Sequence, residues 1–182
     1  MNTLENIEVS GKGSFKDLYL LLKPRVMWLA VFTAAVGMIV APIQNNLFLS
    51  LIILLCISIG AGAAGVLNMW WDKELDNVMQ RTSGRPLPNE KISSDDAFVF
   101  GVSLSIFSVM FLGLVSNWLA AFFLASTIFF YLVIYSMLLK TTTPQNIVIG
   151  GASGAMPPLI GWVASAGTLS LEPVLLFLFI FF

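Results

Sequence analysis

Asn68, Asp72 and Asp76 recur every four residues in the run Asn68-Met69-Trp70-Trp71-Asp72-Lys73-Glu74-Leu75-Asp76. On a helix this spacing stacks three side chains on one face. One carboxamide and two carboxylates make an all-oxygen donor set, and hard oxygen donors suit Mg2+. The segment Arg81-Thr82-Ser83-Gly84-Arg85-Pro86-Leu87-Pro88 follows at once. Guanidinium forks such as those of Arg81 and Arg85 match phosphate oxygens. Pro86 and Pro88 stiffen the chain that carries them. Acidic metal ligands beside two arginines point to a metal-bridged diphosphate.

Each group also has a plainer reading. Asp72 and Asp76 could mark a helix turning polar as it leaves a membrane. Asn68 does not fit that account, because the largely apolar run 57–67 precedes it, and polar groups inside a membrane usually face a cavity or a partner. Arg81 and Arg85 could be ordinary topology charges. Lys140 is the only charge in the loop 139–146. It is either a topology anchor or a cation reaching the face that carries the aspartates, and spacing leaves both open. Lys73 and Glu74 point elsewhere on the helix and read as a solvated pair.

The elements that must hold these groups are transmembrane helices. The chain is 58% hydrophobic and 10% charged, too little polar surface for a soluble domain of this size. Three stretches lack any charge, at 26–71, 97–139 and 141–171. A spanning helix takes roughly 20 apolar residues, so the first two hold two helices each and the third holds one. The expected helices are 26–42, 47–71, 97–115, 118–139 and 146–165. A sixth begins after Glu172-Pro173 and is still apolar at Phe182, which reads as a C-terminally truncated fragment. The fold class is therefore all-α, a polytopic transmembrane bundle, with residues 1–25 as a cytoplasmic N-terminal segment and 26–182 as an incomplete transmembrane domain.

Every Lys and Arg falls before the first helix (Lys12, Lys16, Lys23, Arg25), between the second and third (Lys73, Arg81, Arg85, Lys91) or between the fourth and fifth (Lys140). By the positive-inside rule these three regions face the cytoplasm. The acidic residues Glu5 and Glu8 argue against an Arg-rich transit peptide, and the first helix lacks the form of a cleavable signal. Cys56 lies in an apolar helix as a small packing residue. The chain has no histidine, which removes His-based metal or haem ligation within it. Gly60-Ala61-Gly62-Ala63-Ala64-Gly65 and the Gly150/Gly154 pair read as close helix packing. Met156-Pro157-Pro158 is expected to break or kink the fifth helix. Some of the abundant aromatics could line an apolar chamber and face a carbocation.

With these residues in view, the run from Asn68 to Pro88 resembles the first Asp-rich motif of the UbiA-type intramembrane prenyltransferases. Leu22-Lys23-Pro24-Arg25-Val26, Thr143-Pro144-Gln145-Asn146-Ile147-Val148-Ile149-Gly150-Gly151 and Pro157-Pro158-Leu159-Ile160-Gly161-Trp162 narrow the resemblance to the protoheme IX farnesyltransferase (heme O synthase) family. It covers about residues 18–182. One departure is local: the family commonly has a basic residue after the lysine matching Lys140, where this chain has Thr141.

The resemblance implies a bundle of about nine helices in a bacterial inner membrane, with a second Asp-rich motif that this chain lacks. The implied reaction is transfer of a farnesyl group from farnesyl diphosphate to a vinyl group of heme b, with addition of water, giving heme O and diphosphate. Mg2+ is the implied cofactor, on Asn68, Asp72 and Asp76, with Asp72 and Asp76 catalytic. Arg81, Arg85 and Lys140 are the diphosphate cations, and Lys23 and Arg25 are further substrate-binding candidates. The lipid bilayer surrounds the protein, heme A synthase is a candidate partner, and no nucleic acid partner is expected. The 182 residues alone are expected to be inactive. Two alternatives stand beside this reading. One is a sister prenyltransferase acting on an aromatic acid or quinone precursor. The other is an ion-coupled transporter with intramembrane carboxylates.

Overall fold

The computed structural model describes residues 13–182, and among these every regular element is a helix. Lys12, Glu5 and Glu8, used above for topology and targeting, lie outside the described residues. In chain order the helices are α1 (Phe15–Leu21), α2 (Pro24–Val40), α3 (Leu47–Trp71), α4 (Lys73–Val78), α5 (Ser94–Val115), α6 (Trp118–Phe129), α7 (Asn146–Ala166) and α8 (Leu171–Phe181). A π-helical segment, Phe130–Leu139, continues α6. α3, α5, α6 with its π extension, and α7 are each long and apolar enough to cross a membrane, and α1 with α2 passes only as a pair bent by 55°. The protein is an integral, multi-pass, all-α membrane protein.

Local chemistry sets the helix starts. The side chains of Asn46, Ser93 and Asn117 accept from Leu49 N, Asp96 N and Ala120 N, capping α3, α5 and α6. Each satisfies an N–H that the first turn leaves without a helical partner. Ser14 and Asp17 form a capping box at α1, a short helix that the sequence reading did not separate from the N-terminal segment. Gly167, at φ 73°, ends α7 in the left-handed region. The last carbonyls of α7 are met from across the bundle: Asn117 Nδ2 donates to Val163 O at 2.9 Å and Ser116 Oγ to Ala164 O at 2.8 Å.

α3 is the hub and touches α1, α2, α5, α6, the π segment and α7. Its buried face carries Ile53, Cys56, Ile57 and Ala64 into the main core with Leu124, Ile128, Ile160 and Val163. A second core at the polar end joins Leu21 of α1 to Val66, Met69, Leu87, Ile92 and Ala97. α1 and the loop before α5 are therefore packed against the hub, and Lys91 pairs with Asp17 of α1 at 3.4 Å.

Two sequence expectations change. Pro157 and Pro158 do not break α7, which runs unbroken from Asn146 to Ala166. Both prolines are buried where α7 packs on α2, and tight packing there holds the helix through the lost N–H donors. The glycines that allow this approach are Gly37 and Gly161. A Cβ on Gly37 would overlap the carbonyl of Pro158, and one on Gly161 the carbonyl of Ala34. Of the expected Gly150/Gly154 pair, Gly150 does lie against the Tyr135 ring, but a Cβ on Gly154 would meet nothing within 4 Å.

Candidate functional site

Asn68 sits in the last turn of α3, Asp72 at the junction of α3 and α4, and Asp76 within α4. The junction keeps helical register: Asp72 N donates to Asn68 O at 2.9 Å and Asp76 N to Asp72 O at 2.8 Å. The three side chains thus stay on one side across the junction of α3 and α4. All three are buried, at 3%, 4% and 3% exposure. Lys73 and Glu74, half-buried and exposed, lie away from them.

A buried carboxylate without a partner is expensive, and both carboxylates hold a cation. Lys140 Nζ lies 2.5 Å from Asp72 Oδ2, and Arg85 Nη1 lies 2.5 Å from Asp76 Oδ2. Lys23 Nζ donates to Asn68 Oδ1. Asn68 Nδ2 donates to Asp72 Oδ2 and to Ser136 Oγ, each at 2.8 Å. Among the described residues no buried side-chain nitrogen or oxygen lacks a hydrogen-bond partner. Three cations against two carboxylates leave the cluster with one positive charge in excess.

Each cation arrives by its own backbone device. Lys23 occupies the left-handed region at φ 52° in the turn between α1 and α2. A non-glycine residue held there costs of order 1–3 kcal/mol, and such strain gathers at functional positions. Arg85 is placed by tight turns after α4, with Thr82 N bonded to Met79 O and Arg85 N to Thr82 O, each at 3.0 Å. The buried Thr82 hydroxyl donates to Asp76 O at 3.0 Å and ties that turn to α4. Lys140 ends the π segment, its N–H bonded to Tyr135 O.

Of the sequence candidates, the fold brings together Asn68, Asp72, Asp76, Arg85, Lys140 and Lys23. Arg81 and Arg25 are exposed and outside the cluster, and neither forms a side-chain hydrogen bond or ion pair among the described residues. The turns from Met79 to Arg85 face Arg85 inward and leave Arg81 on the surface. Ser136 and Thr82 belong to the site and were missed. A lone Ser in an apolar helix and a Thr between two arginines carry no sequence signal of their own.

The donor set bears on a metal. No group of three or more His, Cys, Asp or Glu side chains is clustered among the described residues. Two carboxylates and a carboxamide do not make an all-protein cage. They do fit Mg2+, which usually keeps waters and takes one or two carboxylates together with substrate phosphates.

An apolar cleft of about 120 Å³ opens one helical turn deeper. On α3 its lining residues Ile57, Ala61 and Ala64 continue along the same face to Asn68 and Asp72. Leu124, Ile128 and Tyr131 line it from α6 and the π segment, and Gly154 and Pro157 from α7. The arrangement is amphipathic along its length, with a cation-rich carboxylate cluster at the polar end of the apolar cleft.

Residues 30–182 match the family described as "UbiA prenyltransferase family". Over 173 residues the chain is 57% identical to the protoheme IX farnesyltransferase of Bartonella henselae, covering 95% of this chain and 55% of that protein. It is 56% identical over 176 residues to the protein of the same name from Dinoroseobacter shibae, covering 97% of this chain and 56% of that one. The chain thus spans about half the length of the curated relatives it matches. Among solved structures, its fold is similar to that of a UbiA homolog from Archaeoglobus fulgidus bound to GPP and Mg2+, with a TM-score of 0.68 over 90% of this chain and 60% of that one. Their identity is 18%, so this likeness speaks for the fold alone.

Proposed function

The chain belongs to the UbiA prenyltransferase family, and from that premise we propose that it forms the diphosphate-binding end of a protoheme IX farnesyltransferase. The observation that carries the reading is the buried Asn68/Asp72/Asp76 array, with Lys23, Lys140 and Arg85 on its side chains, at the end of an apolar cleft. The choice of heme b as acceptor and farnesyl diphosphate as donor rests on the names of the relatives.

In this mechanism Asp72 and Asp76, with Asn68, would hold Mg2+, which when bound would supply Lewis-acid polarisation of the diphosphate. Arg85 and Lys140 have side chains about one quarter exposed, at 27% and 25%, and so face both the carboxylates and an arriving anion. With Lys23 they stabilise the charge that grows on the leaving diphosphate, and fixed cations do this without reorganisation. The exposed Arg81 and Arg25 serve encounter at the surface rather than the reacting bond. The prenyl tail lies along the α3 face into the cleft, where water is excluded and the allylic cation is protected. The C–O bond to diphosphate breaks, a vinyl carbon of heme b bonds to the farnesyl C1, and water adds to the resulting cation with loss of a proton. Farnesyl diphosphate, heme b and water give heme O and diphosphate.

The distribution of Lys and Arg supports an orientation with the N-terminal segment, the Asp-rich loop and Lys140 on the cytoplasmic side, and the bacterial sources of the relatives support a bacterial inner membrane. Residues 26–182 then belong to the prenyltransferase domain, with heme A synthase a partner that would take up its product. The test uses membranes carrying the full open reading frame that encodes this chain, supplied with heme b, farnesyl diphosphate and Mg2+. The expected product, identified by mass, is a farnesylated, hydrated heme that disappears on chelation. Prenylation of an aromatic acid with no heme product would overturn the acceptor assignment. Product formation undiminished by chelation would overturn the metal role.

A further inference from the structure

Ser136 is buried and uncharged, and it belongs to a π-helical turn. Bonds of the i→i+5 kind place residues five apart on one face, as four apart does in an α-helix. Tyr131 and Ser136 are five apart. Tyr131 lines the cleft, and Ser136 reaches the next level of the same face, opposite Asn68. Its Oγ donates to Tyr131 O at 2.8 Å and accepts from Asn68 Nδ2 at 2.8 Å.

The direction of this chain follows from the inventory of donors. An ammonium only donates and an ionised carboxylate only accepts. Asn68 must therefore turn Oδ1 to Lys23 and Nδ2 to Asp72. The backbone carbonyl of Tyr131 also only accepts, so the Ser136 hydroxyl donates its hydrogen bond there and leaves an Oγ lone pair for Asn68. Lys23 and Asp72 are charged groups that the proposed reaction recruits to phosphate and metal. Ser136 is the partner of Asn68 that the substrate does not recruit.

We propose that Ser136 is a positioning residue: through Tyr131 O–Ser136–Asn68 it holds the carboxamide so that Oδ1 stays aimed at the metal-diphosphate site while Lys23 and Asp72 change partners. This rests on the reading of Asn68 as a metal ligand given above. Partners that orient a ligating side chain typically affect metal affinity by about 10–100-fold.

The experiment measures Mn2+ affinity by electron paramagnetic resonance on the detergent-solubilised product of the full open reading frame, with inorganic diphosphate present. Steady-state kinetics accompany it. Ser136→Ala should weaken Mn2+ binding about tenfold and lower kcat with KM for heme b unchanged. Ser136→Thr, which keeps the hydroxyl, should bind Mn2+ within about threefold of the parent. In an Asn68→Ala background, Ser136→Ala should cost less than about twofold more, because the relay has lost its target. Ser136→Cys, close in size with a weak donor, makes the same test if the alanine variant does not insert. Parental Mn2+ affinity in Ser136→Ala, or an equal loss with and without Asn68, would overturn the relay. Parental affinity in Asn68→Ala alone would overturn the ligand reading itself, and the relay with it.

Discussion

Replacing Lys140 by methionine removes the ammonium 2.5 Å from Asp72 Oδ2 and leaves a carboxylate whose side chain is 4% exposed. At that distance Coulomb's law gives about 7 kcal/mol at an effective dielectric of ~20 and about 2 kcal/mol in bulk water. Lys140 is one quarter exposed, and Asn68 Nδ2 still donates to the carboxylate, so the lower half of that range applies. Lys140→Met should therefore destabilise the protein by about 2–4 kcal/mol, in the region found when one partner of a buried pair is removed. Asp72→Asn alone leaves Lys140 without its anion and should also destabilise. Asp72→Asn combined with Lys140→Met removes both charges and should return to within about 1 kcal/mol of the parent. The assay is unfolding in mixed micelles by SDS titration, followed by tryptophan fluorescence. Strong coupling of opposite sign to the single losses is the expected result. Losses that add within about 0.5 kcal/mol would show two independent surface charges, and the argument for a buried, mutually neutralising pair would fail.

Asp72→Asn in the full open reading frame should abolish farnesyl transfer while membrane insertion, read by fractionation, stays intact; normal turnover would remove Asp72 from the metal set. Arg85→Ala should weaken farnesyl diphosphate binding about tenfold or more and heme b binding little, as loss of a charge-assisted contact requires. Equal loss of both ligands would make Arg85 a structural residue. Arg81→Ala, at an exposed position, should change diphosphate affinity by less than about threefold, and a loss matching that of Arg85→Ala would refute the placement of the two arginines. Gly161→Ala puts a methyl into the carbonyl of Ala34 and should lower stability by about 1–3 kcal/mol through overpacking; an unchanged SDS midpoint would contradict the close approach of α2 and α7.

Most of the helices were legible because apolar length and loop punctuation are local properties. The spans expected at 47–71, 97–115, 118–139 and 146–165 appear as Leu47–Trp71, Ser94–Val115, Trp118–Leu139 and Asn146–Ala166. α1 was not legible, because its seven residues fold as a helix against Val66, Leu87 and Ile92, which lie 45 residues or more away in sequence. The Pro157-Pro158 pair shows the converse. Local rules predict a break or a kink, and packed against α2 the helix runs without a break.

Composition and helical period alone establish the membrane class, the candidate carboxylates and the four-residue spacing that puts Asn68, Asp72 and Asp76 on one side. Which cations reach them was decided only by the tertiary structure. Lys23 and Lys140 stand 45 and 68 residues from their partners. Arg85 and not Arg81 turns inward because backbone bonds between 79 and 85 aim it. Ser136 reaches Asn68 because a π-helical turn places it on the Tyr131 face. Charge balance in a buried site is a property of what packs around it, and no periodicity in the chain records that.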